Sequence, residues 1–160
     1  MLLNIFRVYL CWFFLGGMTV SLQAMLLLPM IGMIFLTFGI MLWMLKLRYR
    51  AVLQDGLNPR YFRLYKGAKL PEYLVKVTQH YDNLLEMPLF FYMAILLLIA
   101  LKISDPFYVA ISWAFFLTRL LHTYIHTTNN KVKHRKNVFI VSTLVLMALW
   151  VRICLDVLSL

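Results

Sequence analysis

Four apolar stretches occupy most of this 160-residue chain, and two of them are too short to cross a bilayer unless ionisable residues enter with them. Met25–Leu45 carries no charge and can span alone, whereas Met87–Leu101 and Pro106–Thr118 are uncharged for only 15 and 13 residues. A helix rises about 1.5 Å per residue against a hydrocarbon core of about 30 Å, so a span needs roughly 20 residues. The second span therefore draws in Glu86 and Asn83 at its start, and the third draws in Arg119 and His122 at its end. Ionisable groups at that depth are costly, normally face a bundle interior, and mark candidate sites.

With 63% hydrophobic residues and a mean hydropathy of +0.81, the chain is excluded from the soluble globular class and reads as one small integral membrane domain. The net charge of +10 does not point to nucleic acid, because of where it lies. Thirteen of the 16 Lys and Arg fall in Lys46–Lys76 and Arg119–Lys136, leaving Arg7, Lys102 and Arg152. That asymmetry is the positive-inside pattern and assigns both basic loops to the cytoplasm, beside anionic lipid headgroups. Cys11 and Cys154 lie far apart in apolar runs without metal-ligand spacing, so they read as small hydrophobes.

Residues 1–24 admit three readings: a signal-like segment, an extra apolar helix, or a start assigned too early, with Met25 the true first residue. Residues 25–160 form the membrane domain. Span one covers Leu26–Leu45 and exits into Lys46, Arg48 and Arg50; the following loop carries Gly56, Asn58-Pro59 and Gly67 as breakers. Pro71 fits the first turn of a helix that runs into span two, which ends near Lys102. Ser104 or Asp105 can cap span three, which continues to about His126. Thr127–Lys136 forms the second basic loop and Val138–Leu155 the fourth span. The expected fold is an all-α, four-helix antiparallel transmembrane bundle.

In that topology Arg48, Asn83, Glu86, Arg119, His122 and His126 all reach the cytoplasmic end near one depth. Asn83 and Glu86 are spaced i, i+3, and Arg119, His122 and His126 i, i+3, i+7, so each set shares a helix face. Pairing of Glu86 with Arg119 or Arg48 accounts for the buried charges most simply, since an unpaired carboxylate there is costly. Such a pair, with the Asn, serves equally as interhelical glue. The surplus of Arg48, Arg119 and Arg135 over one acid suits an anionic ligand held by forked guanidinium contacts. His122 and His126 form an i, i+4 pair, but no Glu, Cys or further His sits at supporting spacing, so no metal site is assigned.

Three blocks carry a resemblance to a known family. They are Arg48 at the close of span one, Asp82-Asn83-Leu84-Leu85-Glu86-Met87-Pro88 opening span two, and Thr118-Arg119-Leu120-Leu121-His122-Thr123-Tyr124-Ile125-His126 closing span three, with Arg135 following. The chain resembles the MAPEG family, membrane-associated proteins of eicosanoid and glutathione metabolism, over about Leu26 to Leu155, and its short Glu-x-Pro form is similar to a bacterial branch. The resemblance implies a homotrimer of four-helix subunits in a bacterial inner membrane, with glutathione bound between neighbours at the cytoplasmic end. By matching position, Arg48, Asn83, Glu86 and His122 would hold the tripeptide, with His126 standing where several members carry Tyr. Arg135 would sit beside the sulfur as the catalytic residue, and Arg119 would be structural or a partner of Glu86. Gln79 stands where glutathione-using members commonly carry Arg.

Two functions follow. One is a glutathione-dependent transferase or peroxidase acting on lipophilic electrophiles or hydroperoxides from the bilayer. The other is a non-catalytic protein that binds a lipid or a partner, its polar cluster serving helix packing only. They differ at Arg135, which an enzyme turns inward and a scaffold leaves in the headgroups with its Lys neighbours.

Overall fold

The computed structural model describes residues 21–64, 67, 69–103 and 105–159. The described part is helical: α1 (Leu22–Leu53), a single turn α2 (Tyr61–Leu64), α3 (Glu72–Ala100), α4 (Pro106–Thr127) and α5 (Val132–Leu158). Of the uncertain N-terminal stretch, residues 1–20 lie outside the described residues. Ser21 caps α1, its Oγ accepting from the Ala24 N–H at 3.2 Å. Helix α1 therefore begins before the expected Leu26 and continues past Leu45 through Arg48 and Arg50.

The inward residues of α1 include Leu26, Met33, Ile40 and Leu47, one every seven residues. A seven-residue repeat keeps one seam facing its neighbours in shallow, left-handed packing. The helix lies against α3 and α4; α4 packs in turn on α5, and α1 and α5 do not pack on each other. Helix α4 has the most regular seam: Tyr108, Ser112, Phe115, Arg119, His122 and His126 are buried at alternating steps of four and three. At one end Tyr108 donates to Asp156 at 2.6 Å, and at the other the seam turns polar.

The turns are short. Asp105 caps α4, accepting from the Phe107 N–H at 2.7 Å; Ser104, the other capping candidate, lies outside the described residues. Between α4 and α5, Asn130 takes a left-handed conformation at φ 47° and its N–H bonds the Ile125 carbonyl at 2.8 Å. Asn tolerates that region, and such a bond closes a helix C-terminus. Helix α5 then starts at Val132, six residues before the expected Val138. Most of the anticipated Thr127–Lys136 loop is therefore helix, which sets Arg135 on a rigid element.

Among the described residues three helices, α1, α3 and α5, are long and apolar enough to cross a membrane. Helix α4 falls short on composition because its inner face carries Arg119, His122 and His126. It packs against all three others, and its polar stripe faces them rather than lipid.

Candidate functional site

The polar half of the α4 seam meets α3 from one side and α5 from the other. Arg119 is fully buried, its guanidinium between the rings of Phe115 and Phe139, each 5.3 Å from Cζ to centroid. Its Nη1 donates to Asn83 Oδ1 at 3.2 Å and its Nη2 to Ser142 Oγ, joining α3, α4 and α5. No carboxylate takes part. The expected Arg119–Glu86 ion pair does not form: Glu86 is exposed, and the ion pairs among the described residues are Glu72–Lys76 and Arg152–Asp156. The reason is helical phase. Each step of three residues falls short of a full turn by about 60°. His80 is buried, Asn83 half-buried and Glu86 outside, so the i, i+3 series walks off the inner face.

A third histidine, His80, joins the site from α3. It lies on the buried stripe of α3 with Leu74, Val77 and Leu84, a spacing that marks it as inward-facing but says nothing of what it meets. Across the helix boundary it meets the α4 histidines. The ring centroids of His80 lie 5.7 Å from His122 and 4.9 Å from His126, and His122 and His126 are 5.6 Å apart. The three are 0%, 2% and 3% exposed. Their ligating nitrogens lie within 4.8 Å of one another. A third histidine, absent at supporting sequence spacing, is thus supplied by tertiary packing.

The tautomer of His80 follows from its neighbour. The single Thr123 hydroxyl hydrogen goes to the Arg119 carbonyl at 2.8 Å, so at its 3.0 Å contact with His80 Nε2 the hydroxyl oxygen accepts. The His80 proton is therefore on Nε2, and the lone pair is on Nδ1, which is buried and without a hydrogen-bond partner.

Arg135 is half-buried and turned inward. Its Nη1 lies 3.3 Å from His126 Nε2 and donates to Asn130 Oδ1 at 2.9 Å, while Lys131, Lys133 and Lys136 are exposed. Arg48, near the end of α1, is also half-buried, its guanidinium 5.4 Å from the Phe62 ring centroid and its Nε buried without a hydrogen-bond partner. Within the chain, then, Asn83, Arg119, His122, His126 and Arg135 form a connected group that includes His80. Arg48 and Glu86 do not join it through any described hydrogen bond or ion pair. An open groove of about 550 Å³ lies at the Glu72 end of α3, lined by Arg50, Tyr73 and Lys76 among others; it includes none of the candidate residues.

The chain matches the model of the MAPEG family over residues 26–155. No curated protein matches the chain, and no solved structure does.

Proposed function

The chain belongs to the MAPEG family of membrane proteins, and on that footing we propose that it is a glutathione-dependent transferase or peroxidase acting on lipophilic electrophiles or hydroperoxides that arrive through the bilayer. The observation that carries this reading is the inward turn of Arg135. A residue serving only the headgroup region has no reason to leave its Lys neighbours and hydrogen-bond Asn130 and His126. A guanidinium held there favours a thiolate over a thiol by placing positive charge beside the sulfur.

The donors suit an anionic tripeptide. Arg48 offers a buried, unpartnered Nε, and the His122 ring nitrogens have no side-chain partner. Among the described residues Arg119 and Arg135 have no acidic partner, so the polar end carries surplus positive charge. Glu86 stands exposed among the outward Leu85, Leu89 and Phe90 of α3, a face that a neighbouring subunit of a homotrimer would cover. In that assembly Glu86 and Arg48 would bind the peptide from the subunit boundary, with Asn83, His122 and His126 beneath. Arg135 would hold the sulfur as thiolate; bound glutathione supplies the nucleophile that attacks the electrophile. The inner membrane, with both basic turns cytoplasmic, is the location this reading assigns.

One observation favours the non-catalytic reading for part of the cluster. Asn83, Arg119 and Ser142 hydrogen-bond across three helices, as interhelical glue does, and need no ligand to explain them. The test is calorimetric titration of the detergent-purified protein with glutathione, followed in parallel by ultraviolet thiolate absorbance, with Arg135→Ala as control. Saturable binding and a thiolate signal that the variant loses are expected. Absence of binding at millimolar glutathione would sink the enzyme reading.

A further inference from the structure

We propose that His80, His122 and His126 form a binding site for one divalent, zinc-class metal ion, with a fourth position left for an anionic ligand. The geometry is close to what such an ion needs. Three imidazoles holding zinc tetrahedrally at about 2.0–2.1 Å place their donor nitrogens about 3.4 Å apart and their ring centroids about 5 Å apart. The observed centroids are 4.9 to 5.7 Å apart and the ligating nitrogens within 4.8 Å, so small ring rotations complete the site.

Hydrogen bonding points the same way. A neutral imidazole has one donor and one acceptor, and buried polar atoms are nearly always satisfied. Here four of the six ring nitrogens are buried without a side-chain partner, namely His80 Nδ1, both nitrogens of His122, and His126 Nδ1, while the backbone at Arg135 and at His126 itself reaches the rings of His122 and His126. One ion would take up two of these, His80 Nδ1 and one nitrogen of His122, with His126 ligating through Nε2. His80 is already arranged as a ligand, because Thr123 accepts from Nε2–H and leaves the Nδ1 lone pair free. Fixing the remote N–H of a ligating histidine in this way is the usual second layer of a metal site. His126 carries its lone pair on Nε2, where Arg135 donates; Arg135 keeps Asn130 when a metal takes that lone pair.

Charge decides the fourth ligand. The cationic neighbours are Arg135 and, one helical turn from His122, Arg119, and among the described residues neither has a carboxylate partner. A bare dication beside two guanidiniums is unfavourable; an ion carrying hydroxide or a carboxylate has half the charge and is repelled correspondingly less, and imidazole donors suit zinc and cobalt. The inference does not depend on glutathione and goes beyond the reading above.

The test uses the full chain, purified in detergent through a tag without histidine, stripped with chelator and titrated with Co²⁺ and then Zn²⁺, no glutathione being present. Binding of about one ion per chain is expected, with the intense visible bands of tetrahedral cobalt and their loss on zinc addition. Thr123→Val keeps all three rings but removes the acceptor for His80, and should weaken binding about 10- to 100-fold. His80→Gln should abolish it. If His80→Gln does not fold, Thr123→Val carries the comparison. Failure of the parent protein to take up either ion, a weak octahedral cobalt spectrum, or Thr123→Val binding as tightly as the parent overturns the proposal.

Discussion

Removing the Asn83 side chain should destabilise the bundle only while Arg119 is present. Arg119 is fully buried and its described hydrogen bonds go to Asn83 and Ser142, with Nε unpartnered. A hydrogen bond to a charged group contributes about 1.5–3 kcal/mol, and stripping partners from a buried cation leaves its desolvation uncompensated. Asn83→Ala should therefore cost about 2 kcal/mol. Arg119→Met removes the charge together with the need for partners, and a hydrophobe of similar volume between Phe115 and Phe139 should be tolerated to within about 1 kcal/mol. In that background Asn83→Ala should be nearly silent, because the half-buried amide can turn to other partners. The coupling between the two positions is thus about 1.5–2 kcal/mol, readable from a double-mutant cycle of unfolding in detergent. Thermal midpoints should show it as a drop of several degrees for Asn83→Ala alone, at about 2–4 °C per kcal/mol. An Asn83→Ala cost that is equal in both backgrounds would refute the account and place the role of Asn83 elsewhere, at a ligand or a subunit boundary.

Further outcomes can be checked with the same unfolding assay. A Cβ at Gly32 would lie 2.8 Å from Phe116 Cζ, so Gly32→Ala should cost about 1–2 kcal/mol by overpacking α1 on α4, and Phe116→Leu should relieve it. Tyr108 donates to Asp156, so Asp156→Ala should lower the thermal midpoint, whereas Asp156→Asn, which keeps an acceptor, should lower it less. Arg152→Ala, which removes only the more exposed partner of Asp156, should leave the thermal midpoint nearly unchanged. Asn130→Gly should leave stability nearly unchanged because glycine accepts φ 47°, yet weaken any thiolate signal by freeing Arg135; Asn130→Ala should lose about 1 kcal/mol as well.

Much of the architecture was legible in the residues. Long apolar runs and two basic turns identify a membrane helical bundle, because backbone polar groups in hydrocarbon must bond within their own segment and only helices or closed barrels allow that. The stripe of Arg119, His122 and His126 was equally readable, since a shared face depends on spacing within one helix and on nothing else. The helix ends were less so. Helix α5 starts six residues early because Lys133, Arg135 and Lys136 are good helix formers whose charge suggests a loop but does not forbid a turn.

What the sequence could not determine is which helix each stripe meets and in what rotation. Glu86 looked like the partner of Arg119 because it was the nearest acid in the pattern, but the rotation of α3 turns it outward and brings in Asn83, with Ser142 arriving from α5. His80, about 40 residues from the α4 histidines, enters the cluster only through the packing of α3 against α4. Composition and period set each helix by itself, because they are local properties of the chain. The polar site was decided by the relative rotation of three helices, which depends on how all their side chains fit at once.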